Sequence, residues 1–345
     1  MRAITISPRQ PRSLRLEEVA GPERNGASVL VRTLAVGVCG TDRELIQGEY
    51  GEAPAGRGRL VIGHESLGRV IEAPAESGLA TGDLVAGIVR HPDPLPCTSC
   101  GLGEWDMCRN GLYSERGIKQ LDGFCAERWV ADPRFIVPLD PRLGLAGVLL
   151  EPASVLAKAW EHIERIGLRS RWAPRRVLVT GAGPVGLMAA MMGVQRGLEV
   201  HVLDRNEEGP KPGLVRDLGA GYHLRFPAFE PDVVIEATGS PALIAQCVAG
   251  SAPGSIVCLT GLGGAAHAAS FDVATLNQSM VMENRVVFGT VNANRRHYEQ
   301  AAAALCLAPR GWLERVITRR VPLARWREAF DKQPGDVKTV LCFED

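Results

Sequence analysis

Clustered cysteines offer a set of soft metal ligands in the first half of the chain. Cys97, Cys100 and Cys108 fall within twelve residues, whereas the other cysteines of the nine in the chain are scattered. An odd number of cysteines without an export signal argues against a disulfide framework. The cluster therefore indicates metal binding more readily than redox chemistry.

A glycine pattern after an apolar strand indicates a second chemistry, the binding of a dinucleotide. Gly181, Gly183 and Gly186 form GxGxxG between the strand VLVT and an apolar helix. The first glycine permits a tight turn, the second lets the backbone approach a pyrophosphate, and the third lets helix and strand pack closely. Pro184 and Val185 complete the motif at the helix N-terminus, which attracts phosphate. The alternative is a glycine-rich turn without a ligand.

The end of the next strand bears on the choice of dinucleotide. Asp204 follows HVL, 18 positions after Gly186, where an acid is expected to meet a ribose 2′-hydroxyl. A carboxylate there repels a 2′-phosphate and favours NAD, whereas Arg205 beside it could accept that phosphate. We therefore expect NAD as the cofactor, with NADP as the open alternative.

Further candidate metal ligands carry little weight when each is taken singly. Cys39 lies in GVCGTD, His64 and Glu65 lie in GHES, and Glu151 lies in LEPAS. A buried thiol, a turn histidine or a glutamate at a helix start would explain each of them alone. Their combination is more informative, because a catalytic zinc requires three protein ligands and an open position.

The elements that must position these residues divide the chain into regions. Up to about residue 150, short strand-like runs are broken by Gly and Pro, which predicts an irregular β unit. The next region alternates strands with helices, which predicts a parallel, doubly wound sheet. The last segment holds too few elements for a domain and is expected to pack on the first region. We predict an α/β fold with a catalytic domain at 1–155 and 290–345 and a dinucleotide-binding domain at 156–289.

The composition of the 345 residues excludes several classes of function. Lys plus Arg and Asp plus Glu each total 39, so the zero net charge offers no basis for wrapping nucleic acid or lying on an acidic membrane. The apolar runs are far shorter than the roughly 20 residues that span a bilayer. The N-terminus lacks the continuous apolar core of a signal peptide. We therefore expect a cytoplasmic protein without nucleic-acid or membrane partners.

Over essentially its whole length the chain resembles the zinc-containing medium-chain dehydrogenases. The shared motifs are GVCGTD, GHE, the TGDLVAG turn at 81–87 and the GxGxxG. The resemblance implies a GroES-like irregular β catalytic domain and a Rossmann domain. It also implies a catalytic zinc bound by Cys39, His64 and a carboxylate, for which Glu151 and Glu65 are the candidates.

The same resemblance makes the three clustered cysteines an incomplete structural-zinc lobe. The family uses four cysteines, and its spacing places the missing first one at Pro94. Asp93 or Asp106 could supply a fourth, oxygen ligand. The alternative is a lobe that folds without metal and keeps its cysteines as reduced thiols.

Within this family, the zinc-dependent glucose dehydrogenases are the most similar branch. The segments that resemble them are YSERG, LDGFCAERW, LEPAS and GTVNANRRHYE. The resemblance implies that Thr41, Glu115, Glu151 and Asn292 lie around a sugar or its metal-bound oxygen. Carboxylates and amides can hydrogen-bond pairs of sugar hydroxyls, which a hydrophobic pocket cannot. Without the resemblance, Asn292 would be read as a turn residue and Glu115 as a surface charge.

The implied activity is the oxidation of an aldose, glucose or a close epimer, at C1 to the lactone, with hydride transfer to NAD or NADP. Zinc would lower the pKa of the anomeric hydroxyl, and Thr41 is placed by its motif to pass on the proton. Many relatives have a histidine three residues after this hydroxyl. Here that position is Glu44, so either Glu44 or solvent replaces the relay histidine, or the proton takes a different route.

The same scaffold carries other functions, because substrate choice depends on a few pocket residues. The alternatives are a polyol, galactose or threonine dehydrogenase, a zinc-free quinone reductase, and an inactive relative that binds NAD(H). A quinone reductase is not expected to carry Cys39, His64 and Glu151 together, and the intact ligand set argues against an inactive relative. Relatives form dimers and tetramers, so we expect a homo-oligomer.

Overall fold

A computed structural model describes residues 1–263 and 272–344, which divide into two compact units. The first unit contains Met1–Ser154, Asn292–Cys306 and Ile317–Asp345, and the second contains Val155–Val291 and Leu307–Val316. The predicted boundaries place Leu307–Val316 in the catalytic domain, whereas this segment groups with the second unit. The reason is local packing, since buried Trp312 donates its indole N–H to the carbonyl of Leu214 at 2.8 Å.

The strands of the described residues form four sheets. In chain order they are β1 (Arg2–Ile6), β2 (Arg15–Glu18), β3 (Val29–Val38), β4 (Leu60–Val61), β5 (Glu65–Glu72), β6 (Leu84–Gly87), β7 (Arg90–His91), β8 (Ser114–Arg116), β9 (Gln120–Leu121), β10 (Arg128–Ala131), β11 (Ile136–Pro138), β12 (Arg176–Thr180), β13 (Glu199–Leu203), β14 (Gly221–His223), β15 (Val233–Glu236), β16 (Ile256–Leu259), β17 (Val286–Gly289), β18 (Ile317–Pro322) and β19 (Lys338–Cys342).

The helices connect these strands and cover the sheets. In chain order they are α1 (Gly40–Gln47), α2 (Thr98–Gly101), α3 (Leu150–Gly167), α4 (Pro184–Gln195), α5 (Pro210–Asp217), α6 (Pro241–Ala249), α7 (Val273–Glu283), α8 (Arg295–Cys306) and α9 (Trp312–Val316). Short 3₁₀ helices lie at Ala75–Ser77, Trp105–Met107, Pro133–Phe135, Pro141–Leu149 and Leu323–Phe330.

The first unit is built on a sheet in the order β11-β6-β5-β3-β19-β18, with β10 also paired to β3. All of these pairs are antiparallel except β18 with β19. Strand β3 is rich in valine, which favours strands, and its buried valines belong to the core of this unit. Its register places Gly37 opposite Glu65 and Val38 opposite Thr339. The end of β3 therefore lies between the start of β5 and the start of β19.

The second unit contains a parallel sheet in the order β14-β13-β12-β15-β16-β17. Its strands are apolar on both faces, as expected for a sheet covered by helices, and Leu178, Val234 and Val257 are fully buried. Strand order reverses between β12 and β15, the position where doubly wound sheets bind ligands beyond the strand ends. This topology confirms the predicted α/β class with a doubly wound parallel sheet.

Within the described residues, the stretch Pro141–Gly167 is the one that is long and apolar enough to cross a membrane. Most of it is buried inside the protein: 78% of its most apolar window is covered. This is the property of a core helix, and the first turn of α3 also carries Glu151.

Candidate active site

Cys39 and His64 meet in space although they lie 25 residues apart. Cys39 follows β3 and caps the N-terminus of α1, while His64 directly precedes β5. Because β3 and β5 are paired, the two side chains converge, with Cys39 Sγ at 3.1 Å from His64 Nε2. His64 is buried. The structure thus brings together the two residues that the family motif makes metal ligands.

Asp42 supports this pair and was not identified from the sequence. Its Oδ2 accepts the backbone N–H of Cys39 at 2.9 Å, and its Oδ1 lies 3.5 Å from His64 Nδ1. Burial favours the neutral imidazole, but the negative charges of Cys39 and Asp42 raise the pKa of His64 well above its usual value. Asp42 is the third residue of α1, so the capping-box spacing after Cys39 is the signal that could have found it.

Glu65 forms a buried ion pair with Lys338, another residue that the sequence did not point to. The Lys338 ammonium donates to Glu65 Oε2 and, at 3.3 Å, to the carbonyl of Val38. Both side chains are at most 2% exposed. A Cβ at Gly37 would lie 2.0 Å from Glu65 Oε2, so glycine is needed there. Ligand atoms of Cys39, His64 and Glu65 all lie within 4.8 Å of one another.

Glu151 brings a second carboxyl group close to this cluster. Burial raises its pKa to about 7; the charge of His64 lowers the pKa, and the charge of Glu65 raises it further. A carboxyl that is partly protonated near neutral pH is one that a bound cation would ionise. A thiol, an imidazole and two carboxyls are donors that zinc accepts. The residues present therefore fit the predicted metal.

Thr41 and Glu44 are joined by Tyr50, which was not predicted. The Tyr50 hydroxyl donates to Glu44 Oε2 at 3.0 Å and shares a side-chain hydrogen bond with Thr41. Burial raises the pKa of Tyr50, so the phenol stays protonated at neutral pH. Thr41 and Glu44 lie three residues apart on α1, which places them on the same helical face.

The two predicted sugar ligands contact each other. Asn292 Nδ2 donates to Glu115 Oε1 at 2.8 Å, and Arg90 donates to the same oxygen through Nε at 3.0 Å. Glu115 is buried, unlike a surface charge. Asn292 has a φ of 61°, a left-handed conformation that asparagine tolerates better than most residues. Arg90, whose guanidinium stacks 3.8 Å from the ring centroid of Tyr113, was not identified from the sequence.

The lobe cysteines converge as their spacing predicts. The sulfur atoms of Cys97, Cys100 and Cys108 all lie within 4.8 Å of one another. The backbone N–H of Arg109 points at Cys97 Sγ at 3.4 Å, and this donor, with other backbone N–H groups, lowers the pKa of Cys97 to about 6. Such donors favour the thiolate, which is the form that binds metal.

Neither candidate for the fourth lobe ligand joins the three sulfur atoms in that group. Asp93 accepts the backbone N–H of Leu95 at 2.8 Å and the side-chain amide of Asn110 at 2.9 Å. Asp106 Oδ1 accepts from Asn294 Nδ2 at 2.8 Å. Both carboxylates are buried and already engaged in hydrogen bonds.

The glycine turn of the second unit has the geometry that its motif predicts. Gly181 has a φ of 90°, which favours glycine, and a Cβ at Gly186 would lie 1.8 Å from the Gly181 carbonyl oxygen. Gly183 caps α4, with Pro184 and Val185 in the first turn, and no atom lies within 4 Å of a Cβ built there. The backbone is therefore open to a pyrophosphate at the helix N-terminus.

Asp204 and Arg205 differ in their surroundings. Asp204 is buried, and its Oδ2 accepts the backbone N–H of Ala182 at 2.7 Å and the ammonium of Lys211 at 2.9 Å. Burial opposes ionisation, but these donors lower the pKa of Asp204. Arg205 is exposed. Lys211 lies on α5, seven positions after Asp204, and no sequence pattern marked it.

A further buried acid, Glu236, links the two strands at which the sheet order reverses. Its Oε1 accepts the Thr180 hydroxyl at 3.0 Å and the Thr238 N–H at 2.8 Å, and its Oε2 accepts the Gly239 N–H at 3.0 Å. Thr180 ends β12, immediately before Gly181, and Glu236 ends β15. Glu236 therefore fixes the loop after β15 beside the glycine turn. Its position at a strand end in VVIEATGS is the signal that could have found it.

Comparisons with known proteins agree with this fold and donor set, which together define a zinc-containing medium-chain dehydrogenase. The family model of the alcohol dehydrogenase GroES-like domain matches residues 25–141, and that of the glucose dehydrogenase C-terminus matches residues 144–343. These matches confirm the predicted GroES-like domain and family.

The similar proteins specify the branch. The glucose 1-dehydrogenase of Methanocella arvoryzae is 39% identical over 99% of both chains, and that of Thermoproteus tenax is also 39% identical over 99% of both. The structure of Haloferax mediterranei glucose dehydrogenase in complex with NADP, Zn and gluconolactone is 31% identical, covers 100% of both chains and superposes with a TM-score of 0.92. The chain belongs to the glucose dehydrogenase family.

Proposed function

We propose that this protein oxidises glucose or a close epimer at C1 to the lactone and transfers the hydride to NAD or NADP with the help of zinc. The observation that carries the proposal is the group formed by partly buried Cys39 with buried His64 and Glu65, with Glu151 close by. The relatives named above are glucose 1-dehydrogenases, and the Haloferax enzyme is seen with zinc, NADP and gluconolactone. Both facts support the same reaction.

Cys39, His64 and Glu151 would hold the catalytic zinc, with Glu65 as the alternative carboxylate. Glu65 is already neutralised by Lys338, whereas the pKa of about 7 at Glu151 reflects burial that its neighbours do not compensate. Ionised Glu151 therefore has more to gain from a cation than Glu65 has. When bound, zinc supplies Lewis acidity that lowers the pKa of a substrate hydroxyl.

Thr41, Tyr50 and Glu44 form a path for the proton that the sugar hydroxyl loses. Thr41 accepts this proton as it passes its own to Tyr50, and Tyr50 passes one to Glu44 along the hydrogen bonds that join them. The path takes the place of the histidine that relatives carry at the position of Glu44. A hydroxyl relay of this kind needs no ionised phenol, because each oxygen gives one proton as it takes another.

Glu115 and Asn292 would bind sugar hydroxyls. Glu115 Oε1 is held by Arg90 and Asn292, so the orientation of the carboxylate is set before a sugar arrives. The Arg90 guanidinium, 2.9 Å from the same oxygen through Nη2, balances the charge of the buried acid. A fixed carboxylate can accept hydrogen bonds from neighbouring hydroxyls on one sugar ring, which gives specificity for a polyhydroxy substrate.

The cysteine lobe would hold a second, structural zinc ion through Cys97, Cys100 and Cys108. Because Asp93 and Asp106 accept hydrogen bonds elsewhere, solvent would provide the fourth ligand. Zinc content per chain separates this site from a lobe with reduced thiols. Two equivalents falling to one in the Cys97→Ser variant support a lobe site, whereas one equivalent in both proteins contradicts it.

The cellular setting is also a proposal. Each described cysteine is a free thiol, which suits a reducing compartment such as the cytoplasm.

The assembly of the chain is a separate proposal, a homo-oligomer. Strand β17 forms one edge of the parallel sheet and carries apolar side chains, so two copies could pair along this edge. Light scattering of the purified chain tests this, with a monomeric mass contradicting it.

Initial rates of nicotinamide reduction test the main proposal. Aldoses, polyols and simple alcohols are each assayed with NAD and with NADP, before and after chelator treatment. Chelator-sensitive turnover of glucose or a close epimer supports both the zinc and the sugar. Turnover of a polyol or an amino alcohol without any aldose would retain the metal chemistry but contradict the roles of Glu115 and Asn292.

A further inference from the structure

We propose that Lys211 is a cofactor-specificity residue, which neutralises Asp204 and so allows the adenosine ribose site to accept the 2′-phosphate of NADP as well as the hydroxyl of NAD. The inference rests on the proposed function in one respect, that the second unit binds a nicotinamide dinucleotide. It goes further by naming the side chain that decides between the two cofactors.

The position of Asp204 alone predicts NAD. It directly follows β13, next to the glycine turn that follows β12. An acid at this position in this fold binds the ribose 2′-hydroxyl and repels a phosphate at that atom. Its carboxylate also contacts that turn directly, through the backbone N–H of Ala182. An unpaired Asp204 would therefore exclude NADP.

Asp204 is not unpaired in the structure. Lys211 Nζ lies 2.9 Å from Asp204 Oδ2 and 3.2 Å from Asn206 Oδ1, and the backbone N–H of Asn206 donates to Asp204 Oδ1 at 2.9 Å. The Lys211 side chain is 18% exposed and that of Asp204 is 7% exposed, so solvent screens this pair little. Both oxygens of the carboxylate are engaged, and its charge is balanced by the ammonium.

The remaining charged side chains next to this strand end are exposed. With Asp204 and Lys211 cancelling, Arg205 contributes the next charge along the chain. Glu207 and Glu208 follow. All three side chains are exposed, so solvent screens each of them more than it screens the pair of Asp204 and Lys211. A 2′-phosphate arriving here would meet a neutral pair and a guanidinium instead of an unpaired carboxylate.

Direct binding measurements test the inference without substrate or turnover. Dissociation constants for NADPH and NADH are measured by nicotinamide fluorescence on chelator-treated protein, and those for 2′,5′-ADP and 5′-AMP by calorimetry. The unmodified chain is expected to bind NADPH and NADH with constants that agree within about tenfold. Failure to bind either would contradict the proposed function itself. A preference for NADH above about a hundredfold would overturn only the inference.

Variants at both positions separate charge from structure. In Lys211→Met the affinities for NADPH and 2′,5′-ADP should fall at least ~10-fold, while those for NADH and 5′-AMP change by less than about threefold. Lys211→Arg should retain NADPH binding, since it keeps the charge. Lys332→Met, which removes an exposed lysine of the first unit, is the matched control.

A double-mutant cycle completes the test. Asp204→Asn in the Lys211→Met background should restore NADPH affinity to within about threefold of the unmodified chain, because no bare acid is left to repel the phosphate. Equal losses of NADH and NADPH affinity in Lys211→Met would overturn the proposal, since they would show that Lys211 only supports the fold. So would unchanged affinities for both.

Discussion

Replacing Lys338 by methionine should destabilise the first unit strongly, because it leaves Glu65 buried without its cation. Methionine fills nearly the same volume, so the change removes the ammonium without opening a large cavity. Glu65 is 2% exposed and loses its ion-pair partner, and the Val38 carbonyl loses a donor. Breaking a buried pair in this way costs about 3–5 kcal/mol of unfolding free energy.

The assay is urea unfolding of chelator-treated protein, so that a bound metal cannot compensate the unpaired charge of buried Glu65. Local opening of β3, β5 and β19 is followed in parallel by amide hydrogen exchange, because two compact units need not unfold together. The double variant Glu65→Gln/Lys338→Met should recover most of the loss, since it removes the uncompensated charge as well.

Two results would refute this reasoning. A loss below about 1 kcal/mol in Lys338→Met would mean that solvent reaches Glu65 and that the pair is worth no more than a surface ion pair. A double variant as unstable as the single one would mean that the packing of the lysine stem, and not its charge, stabilises the unit.

Further predictions concern the metal cluster and the proton path. Cys39→Ser should abolish turnover while NADH affinity, measured by fluorescence, stays within about threefold; retained turnover would contradict the zinc assignment. Tyr50→Phe interrupts the path between Thr41 and Glu44. We expect kcat to fall roughly tenfold or more, with KM unchanged and a larger solvent isotope effect. A change in KM alone would contradict the relay. In metal-free protein the raised pKa of Glu151 stabilises the folded state fully below the usual glutamate pKa, and this stabilisation is lost as the pH rises through about 7. The melting temperature should therefore fall over this pH range. Thermal melts of Glu151→Gln should show no such fall.

The features that local pattern determines were predictable from the sequence. The glycine turn is an example. Gly181 has a positive φ, and a Cβ at Gly186 would clash with the carbonyl oxygen of Gly181. Both requirements arise within a few residues of each other. Alternation of strands and helices after residue 151 likewise predicted the parallel sheet. Cys39 and His64 were predicted only through the family motif, since their contact depends on the pairing of β3 with β5 and not on their spacing.

The residues that escaped prediction share a physical role. Asp42, Arg90, Lys211 and Lys338 each pair with a predicted residue and set its charge or orientation. Such partners often come from distant strands, as Lys338 does for Glu65, and a buried charge requires a partner without specifying where in the sequence it lies. Only Asp42 has a local signature, because helix capping has a fixed spacing.

This difference bears on how substrate and cofactor choice are encoded in the chain. The metal cluster needs particular donor types, and motifs record those types directly. In our proposal, cofactor choice instead depends on the net charge next to the end of β13, where the ammonium of Lys211 neutralises Asp204. The proposed sugar site is built in the same way, because Glu115 is paired there with Arg90. If both proposals hold, specificity rests on paired charges, and a prediction made from Asp204 without Lys211 favours the wrong cofactor.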